Sequence, residues 1–277
     1  MLSYFTRKKN EILEERVHGR YFYPRKSLIN TIQMLGGIFS LTFGIISLIT
    51  YSKMFEIRMK YDNSINRLYF NIDRKIDTLY FYIQLRNYNQ NSLLYYKSIS
   101  YDQLKGKKSV EGCDPLERMG GKDIYPCGIL ANTFFQDRFD LYKRIKKGDK
   151  YILEEVKIGT DDITSNANRD RVKDTEYKID EIVAPPLWED YEKIPDLKNN
   201  NRFINWISIA GYSTFRKLYG KIKNLEKGEY VLKIDPSFQG EKAVYFAESG
   251  YLGLKNYFLG CLLVVIGVLS ITSLFFV

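Results

Sequence analysis

The chain has 277 residues, with 42 Lys and Arg against 33 Asp and Glu, which gives a formal net charge of +9. Two stretches, residues 28–52 and 256–277, nevertheless contain no charged residue. Each exceeds the ~18–20 apolar residues that span a bilayer at ~1.5 Å per residue, which excludes a simple cytosolic enzyme. With one His, His18, and three Cys, the chain also argues against a multi-ligand zinc site or a His-dependent catalytic site.

Residues 1–27 form a basic tail with seven Lys and Arg against three Glu. The positive-inside rule places such a tail in the cytosol. Basic residues beside a membrane span are an ordinary orientation signal near anionic lipid. The alternative is a regulatory contact with a partner, for which Arg7, Lys8 and Lys9 are the candidate residues.

Residues 28–51 predict a first transmembrane helix. The apolar run is longer than a signal-peptide core of about 7–15 residues, and no small-residue cleavage site follows it, which indicates an uncleaved signal anchor. Gly36, Ser40 and Gly44 recur every fourth residue. Small residues at such spacing let helices approach closely in lipid and predict a docking face for partner helices. The alternative is that Gly is simply common in membrane helices.

Residues 52–255 predict one outer domain, because they are rich in Tyr, Phe, Ile and Leu and provide enough apolar surface for a sizeable core. Aromatic and branched runs bounded by turn signals predict strands. These predicted strands cover residues 79–85, 150–158, 228–235 and 243–246. The last two are expected to form a hairpin across a Gln-Gly-Glu turn.

One segment of this domain, residues 203–219, predicts a helix. Apolar residues recur there at three- and four-residue steps, namely Phe203, Trp206, Ile207, Ala210 and Leu218. Phe203, Trp206 and Ile207 are expected to face the core. The predicted fold class is therefore a membrane protein with two transmembrane helices flanking a mostly antiparallel β domain, sandwich-like and of the α+β type.

Cys113 and Cys127 lie in the outer domain, and Cys261 lies in the second apolar stretch. An oxidising outer compartment favours a Cys113–Cys127 disulfide, and two free thiols are the alternative. The ~15-residue loop that it closes would stabilise the fold by about 3 kcal/mol in the chain-entropy view. The sequence contains no Asn-x-Ser/Thr sequon, so no N-glycans are expected.

Residues 256–277 predict a second transmembrane helix that returns the chain to the cytosol, so that both termini are cytosolic. Gly260 and Gly267 lie seven residues apart and extend the candidate docking face. Neither span contains an ionisable residue, which argues against a proton or ion relay within the chain.

Motifs for catalysis are absent from the sequence: there is no Gly-x-Ser-x-Gly elbow, no phosphate-binding Walker loop and no His-Glu-x-x-His. Adjacent acids such as Asp161-Asp162 and Glu189-Asp190 are interpreted as solvated loop residues. We expect no catalytic residue, metal, cofactor or small-molecule substrate, and the topology excludes nucleic acid as a partner.

Distinctive stretches follow one another between the two spans. They read Tyr-Pro-Cys-Gly-Ile-Leu-Ala-Asn at 125–132, Pro-Pro-Leu-Trp at 185–188, Thr-Phe-Arg-Lys-Leu-Tyr at 214–219 and Lys-Asn-Tyr-Phe-Leu-Gly at 255–260. With these stretches in this order between two apolar spans, the chain resembles the ligand-effect modulator family, also called the cell division control protein 50 family. Members are accessory β-subunits of type IV P-type ATPases, the phospholipid flippases.

This resemblance implies a non-catalytic subunit that forms a heterodimer with such an ATPase amid membrane lipids. It implies roles in assembly, in exit from the endoplasmic reticulum toward the Golgi, endosomes or plasma membrane, and in lipid flipping. The spacing of Cys113 and Cys127 matches one disulfide of the family. Lys255 and Asn256, which open the last motif, join the candidate partner-binding residues.

The chain departs from the family in several features. The family's additional disulfide is not possible here, and its usual N-glycan after the Pro-Cys-Gly motif is replaced by Phe-Gln-Asp-Arg at 135–138. Two alternatives of another class stay open from the sequence: a subunit of a two-span homo-oligomeric channel, and an outer-surface enzyme tethered by two helices.

Overall fold

The computed structural model describes residues 24–250 and 253–276, which form two compact units. A helical unit contains residues 24–53 and 256–276. A β unit contains residues 54–250 and 253–255. The predicted contacts of Arg7, Lys8 and Lys9 lie outside the described residues.

The described helices, in chain order, are α1 (Lys26–Ser52), α2 (Leu93–Lys97), α3 (Tyr101–Leu104), α4 (Ile129–Asn132), α5 (Asn166–Arg169), α6 (Asn201–Trp206) and α7 (Tyr257–Ser273), with a 3-10 turn at Ile179–Glu181. The described strands are β1 (Glu56–Tyr61), β2 (Arg67–Ile72), β3 (Ile76–Arg86), β4 (Arg118–Met119), β5 (Lys122–Ile124), β6 (Arg138–Lys147), β7 (Lys150–Val156), β8 (Ile182–Val183), β9 (Phe215–Leu225), β10 (Gly228–Asp235), β11 (Glu241–Gly250) and β12 (Gly253–Leu254).

The helical unit consists of the two apolar helices. By length and composition, the 27-residue α1 can cross a membrane. The 17 residues of α7 rise about 26 Å at ~1.5 Å per residue, a little less than the ~30 Å hydrocarbon core. The structure thus contains one described helix of full spanning length, and the second span stays a prediction.

Two antiparallel sheets dominate the β unit. The first has the strand order β1-β11-β3-β9, with β12 paired to the end of β11. The second has the order β2-β10-β6-β7. A small third sheet joins β4, β5 and β8, and its β5–β8 pair is parallel. The predicted antiparallel β architecture is confirmed.

Aromatic side chains fill the space between the two large sheets. Phe246 on β11 stacks on Phe70 of β2 with ring centroids 4.9 Å apart, and Phe81 on β3 meets the edge of Phe139 on β6 at 5.1 Å. All four rings are buried. Each aromatic ring removes a large apolar area from water, so these cross-sheet contacts hold the sheets face to face.

Each predicted strand overlaps an observed one, namely β3, β7, β10 and β11. The predicted hairpin between the last two is wrong, because β10 pairs with β2 and β6 whereas β11 pairs with β1 and β3. Pro236 has no N–H group, and Asp137 Oδ1 accepts hydrogen bonds from the backbone N–H groups of Ser237 (2.8 Å) and Phe238 (2.6 Å). The chain therefore crosses from one sheet to the other instead of turning back.

The predicted helix over 203–219 is also wrong beyond its start. The observed α6 ends at Trp206, and β9 begins at Phe215. The Lys217 ammonium of β9 donates to the carbonyl oxygens of Asn205 (3.2 Å) and Ser208, which a continuing helix would use for its own ladder. Burial of Phe203, Trp206 and Ile207 is confirmed.

A buried ion pair joins several segments of the β unit. The side chains of Lys242 and Asp137 are 1% and 0% exposed, and Lys242 Nζ lies 2.7 Å from Asp137 Oδ2. Tyr61 on β1 donates its hydroxyl to the same carboxylate oxygen at 2.7 Å, and Lys242 also donates to the Phe238 carbonyl at 2.6 Å. Burial, and then the charge of Asp137, raises the pKa of the Tyr61 hydroxyl, so that Tyr61 stays a donor.

We predict that Lys242→Met strongly destabilises the chain, because it leaves the Asp137 carboxylate buried without its counter-charge. Breaking a buried pair in this way costs about 3–5 kcal/mol. The matched control is Lys108→Met, which removes a surface pair of similar length, Lys108 to Glu181 at 2.6 Å, and should cost about 0–1 kcal/mol. Thermal unfolding of the full chain in detergent measures both, and equal melting temperatures for the two variants would contradict the anchoring role.

Candidate functional site

The two apolar helices touch through glycines. A Cβ atom at Gly44 would lie 2.9 Å from Val264 Cγ2 and 3.0 Å from the Gly260 carbonyl oxygen. One at Gly267 would lie 2.8 Å from the Leu41 nitrogen and 2.9 Å from the Gly37 carbonyl oxygen. Because any side chain would collide with backbone atoms there, the antiparallel helices approach at a distance that only glycine permits.

Side chains at both ends of the helix pair add to this contact. Gln33 Nε2 donates to the Ser270 carbonyl oxygen at 3.3 Å and to the Ser273 hydroxyl. At the opposite end, the ring of Tyr51 meets Tyr257 edge-on, with centroids 6.5 Å apart. A hydrogen bond between two apolar helices fixes their register, because an unpaired amide in an apolar environment is costly.

The predicted docking glycines therefore have an internal role. Gly44, Gly260 and Gly267 are buried in the contact between α1 and α7, whereas no heavy atom lies within 4 Å of a Cβ built at Gly36. Ser40 is half-buried. The prediction that these positions bind a partner helix stays a prediction, and Gly36 is the position that lies open for it.

The open side of the helix pair is apolar. Large side chains at least 60% exposed lie on α1 and α7, namely Ile32, Leu35, Phe39, Ile46, Phe258 and Leu269. The four on α1 are spaced by three, four and seven residues, which places them on one face of that helix, and monomeric soluble proteins rarely expose large apolar patches. This surface, together with Gly36, is suited to lipid chains or to further apolar helices.

Lys255 and Asn256 open the last helix. The Asn256 Oδ1 atom accepts a hydrogen bond from the Phe258 N–H at 2.9 Å and so caps α7. Lys255 is half-buried. The structure thus gives Asn256 a local role in starting α7, and partner binding by either residue stays a prediction.

The disulfide region is tied into the β unit by polar contacts. Cys113 and Cys127 form a disulfide, with Cα atoms 5.5 Å apart. The Gln103 side chain binds the segment that leads into Cys127, since its Nε2 donates to the Ile124 carbonyl at 2.9 Å and its Oε1 accepts from the Cys127 N–H at 2.8 Å. Gly128 has φ +93°, and a Cβ atom there would collide with the Ser98 carbonyl.

Both tryptophans bind the short helix that follows the disulfide. Trp206 Nε1 donates to the Leu130 carbonyl at 3.0 Å, and Trp188 Nε1 donates to the Ala131 carbonyl at 3.1 Å. The Leu130 carbonyl thus gains a buried indole donor, and the Ala131 carbonyl, which already accepts from the Phe134 N–H at 3.1 Å, gains a second donor. Two of the distinctive sequence stretches, 125–132 and 185–188, therefore converge on one structural region with Trp206.

Sequence reasoning missed three features of these sites. Gly37 was overlooked beside Gly36, although Gly37 and Gly44 show the same seven-residue spacing as Gly260 and Gly267. No sequence signal distinguished Gln33 or the buried Asp137 from other polar residues. Among the described residues, no group of three His, Cys, Asp or Glu is arranged to hold a metal ion.

Comparison with known proteins identifies the family. The model of the LEM3 (ligand-effect modulator 3) family / CDC50 family matches residues 25–277. The chain is 32% identical to phospholipid-transporting ATPase accessory subunit CRF1 of Saccharomyces cerevisiae, in an alignment that covers 77% of this chain and 59% of the relative. It is 30% identical to phospholipid-transporting ATPase accessory subunit CDC50 of Chaetomium thermophilum, over 72% of this chain and 55% of the relative. It is 31% identical to cell cycle control protein 50A of Mus musculus, over 69% of this chain and 61% of the relative. The aligned region thus spans 55–61% of the length of these relatives.

We predict that Gly44→Leu separates α1 from α7, because the new side chain overlaps Val264 and the Gly260 backbone. Overpacking of this kind costs about 1–3 kcal/mol. Gly36→Leu is the matched control, the same substitution on the same helix where the space is open, and it should leave the melting temperature of the full chain in detergent unchanged. The same drop in melting temperature for both variants would contradict the observed glycine contact.

Proposed function

This chain belongs to the LEM3/CDC50 family, and on that premise we propose that it is a non-catalytic accessory subunit of a phospholipid-transporting P-type ATPase of type IV. The observation that carries the proposal is the family match over residues 25–277, which includes both apolar helices and the whole β unit. Two of the three relatives bear the name of accessory subunits of such ATPases. The channel alternative has no support among the relatives.

We propose that both α1 and α7 cross the membrane. The glycine contacts pair Gly37 with Gly267 and Gly44 with Gly260, so α7 runs antiparallel beside α1 over about two turns. If α1 crosses the membrane, a helix packed against it along its length also lies in the hydrocarbon core of the bilayer. The helix α7 is only slightly shorter than the hydrocarbon core is thick, and local thinning of the bilayer can accommodate such a difference.

This topology places the basic tail and the C-terminus in the cytosol and the β unit on the luminal or outer side. The Cys113–Cys127 disulfide agrees with that placement, because disulfides persist in oxidising compartments. The chain would travel with its pump from the endoplasmic reticulum to the Golgi, endosomes or plasma membrane, and would be needed for assembly, export and lipid flipping.

We propose that the pump binds the helix pair on its open side. Gly36 and Ser40 would admit a partner helix closely, while Gly44, Gly260 and Gly267 hold the pair itself together. In the cytosol, Arg7, Lys8 and Lys9 would contact the pump's soluble domains. Lys255 would contact it near the start of α7.

The test is depletion of the chain followed by rescue, with two readouts: location of the type IV ATPase and uptake of fluorescent phospholipid. Without the chain, we expect the pump to stay in the endoplasmic reticulum and uptake to fall. The wild type should restore both. Gly36→Leu, which keeps the helix pair intact, should restore them less well.

A rescue control is Cys261→Leu, which changes an exposed residue of α7 without adding charge. It should behave like the wild type. Normal pump location and lipid uptake after depletion would contradict the proposed function. Full rescue by Gly36→Leu would contradict only the proposed docking position.

A further inference from the structure

A cavity of about 540 Å³ opens in the β unit beside the start of α6. Its volume falls within the range typical of small-molecule sites, about 300–1,000 Å³. Its walls include Arg202, Trp188, Tyr191 and Tyr219. The full lining has three cations, Arg138, Lys193 and Arg202, and five aromatic rings. It is therefore a polar cleft with aromatic walls rather than an empty packing defect, because empty defects in protein cores are apolar.

Arg202 is the unusual member of this wall. Its guanidinium stacks on the Tyr219 ring at 3.7 Å, and its Nε donates to the Tyr219 carbonyl at 3.1 Å. Within the described part of the chain, its Nη atoms form no hydrogen bond and no ion pair. Burial lowers the pKa of this guanidinium, and no carboxylate offsets that effect. A desolvated, preoriented fork without an anion is suited to receive one from a ligand.

The polar atoms of Tyr191 and Trp188 are already paired within the β unit. Tyr191 donates its hydroxyl to the Tyr125 carbonyl at 2.7 Å, and the Trp188 indole N–H is bound to Ala131. The Asp137 carboxylate, which also borders the cavity, is neutralised by Lys242. The partly exposed rings of Trp188 and Tyr191 therefore offer apolar and cation–π surface, and the Arg202 guanidinium provides the charge of the interior.

The rim of the cavity has the opposite sign. It carries three exposed acids, Glu189, Asp190 and Glu192, against two bases, Arg138 and Lys193. Glu189 lies 3.5 Å from Arg138 and its side chain is 86% exposed, so this pair gives little neutralisation. A ligand that fits this distribution has an oxyanion inside and a cationic group outside.

We propose that the cavity binds a small zwitterionic phosphate ester of an amino alcohol, with its phosphate oxygens on the Arg202 Nη atoms and its ammonium group at the acidic rim beside Trp188. An Arg guanidinium binds phosphate through two parallel hydrogen bonds. An ammonium group is attracted electrostatically both to carboxylates and to the face of an indole ring. The ligand is either a free phosphoamine or the headgroup of a phospholipid. This site is separate from the helix surface proposed to bind the pump.

The experiment is isothermal titration of the full chain in a maltoside detergent, whose uncharged headgroup does not compete. Phosphoethanolamine should bind saturably to the wild type. Arg202→Gln should lower the affinity about tenfold or more, because one charge-assisted hydrogen bond contributes a factor of that size. The matched control is Arg216→Gln. Arg216 stacks on Tyr245 at 3.6 Å in the same manner but does not line the cavity, and its loss should leave the affinity unchanged.

A second variant keeps the test independent of folding. The double substitution Glu189→Gln with Asp190→Asn changes only exposed side chains. This double variant should bind phosphoethanolamine several-fold more weakly than the wild type, whereas its affinity for inorganic phosphate should be unchanged. Tighter binding of glycerophosphoethanolamine than of phosphoethanolamine would identify the headgroup as the source, and the reverse order would identify the free phosphoamine.

Two results would overturn the proposal. One is the absence of saturable phosphoethanolamine binding to the wild type. The other is an equal effect of Arg202→Gln and Arg216→Gln, which would show that the unpaired guanidinium does not contact the ligand.

Discussion

The contact between the Asp137 carboxylate and the Lys242 ammonium determines how the two large sheets are joined. Both charges are withdrawn from water, which is tolerable only because each finds further partners: Tyr61, the two N–H groups after Pro236, and the Phe238 carbonyl. These partners lie on β1 and on the crossing between the sheets, and Lys242 itself lies on β11. The pair therefore specifies where the chain leaves the second sheet and enters the first, and the aromatic core forms around that crossing.

The helical unit depends on a different constraint, which is the absence of side chains. Gly37, Gly44, Gly260 and Gly267 let two backbones meet, and Gln33 fixes their register with a hydrogen bond. Because these glycines lie in the contact between the two helices, the large apolar side chains lie on the outside of the helix pair. A surface of that kind has to be covered by lipid or by helices of another protein, which agrees with the proposed role as an accessory subunit.

Much of the architecture was predictable from the sequence, because aromatic and branched runs bounded by turn residues mark β3, β7, β10 and β11. The partners of those strands were not predictable, since the Gln-Gly-Glu turn signal before residue 243 is local whereas the Asp137 contact that overrides it comes from about a hundred residues earlier. The helix over 203–219 failed for a similar reason, because Lys217 returns from β9 to take carbonyl groups that the periodicity had assigned to the helix. Asp137 and Arg202 had no sequence signature at all, because a single charged residue gives no indication of its own burial.

The central claim is that this chain works as the accessory subunit of a phospholipid-transporting ATPase. The most direct measurement is purification of the tagged full chain from its native membranes in mild detergent, with mass spectrometry and stoichiometry of the proteins that remain bound. The account predicts one type IV P-type ATPase in a one-to-one ratio with the chain. A chain that copurifies only with further copies of itself would contradict the account.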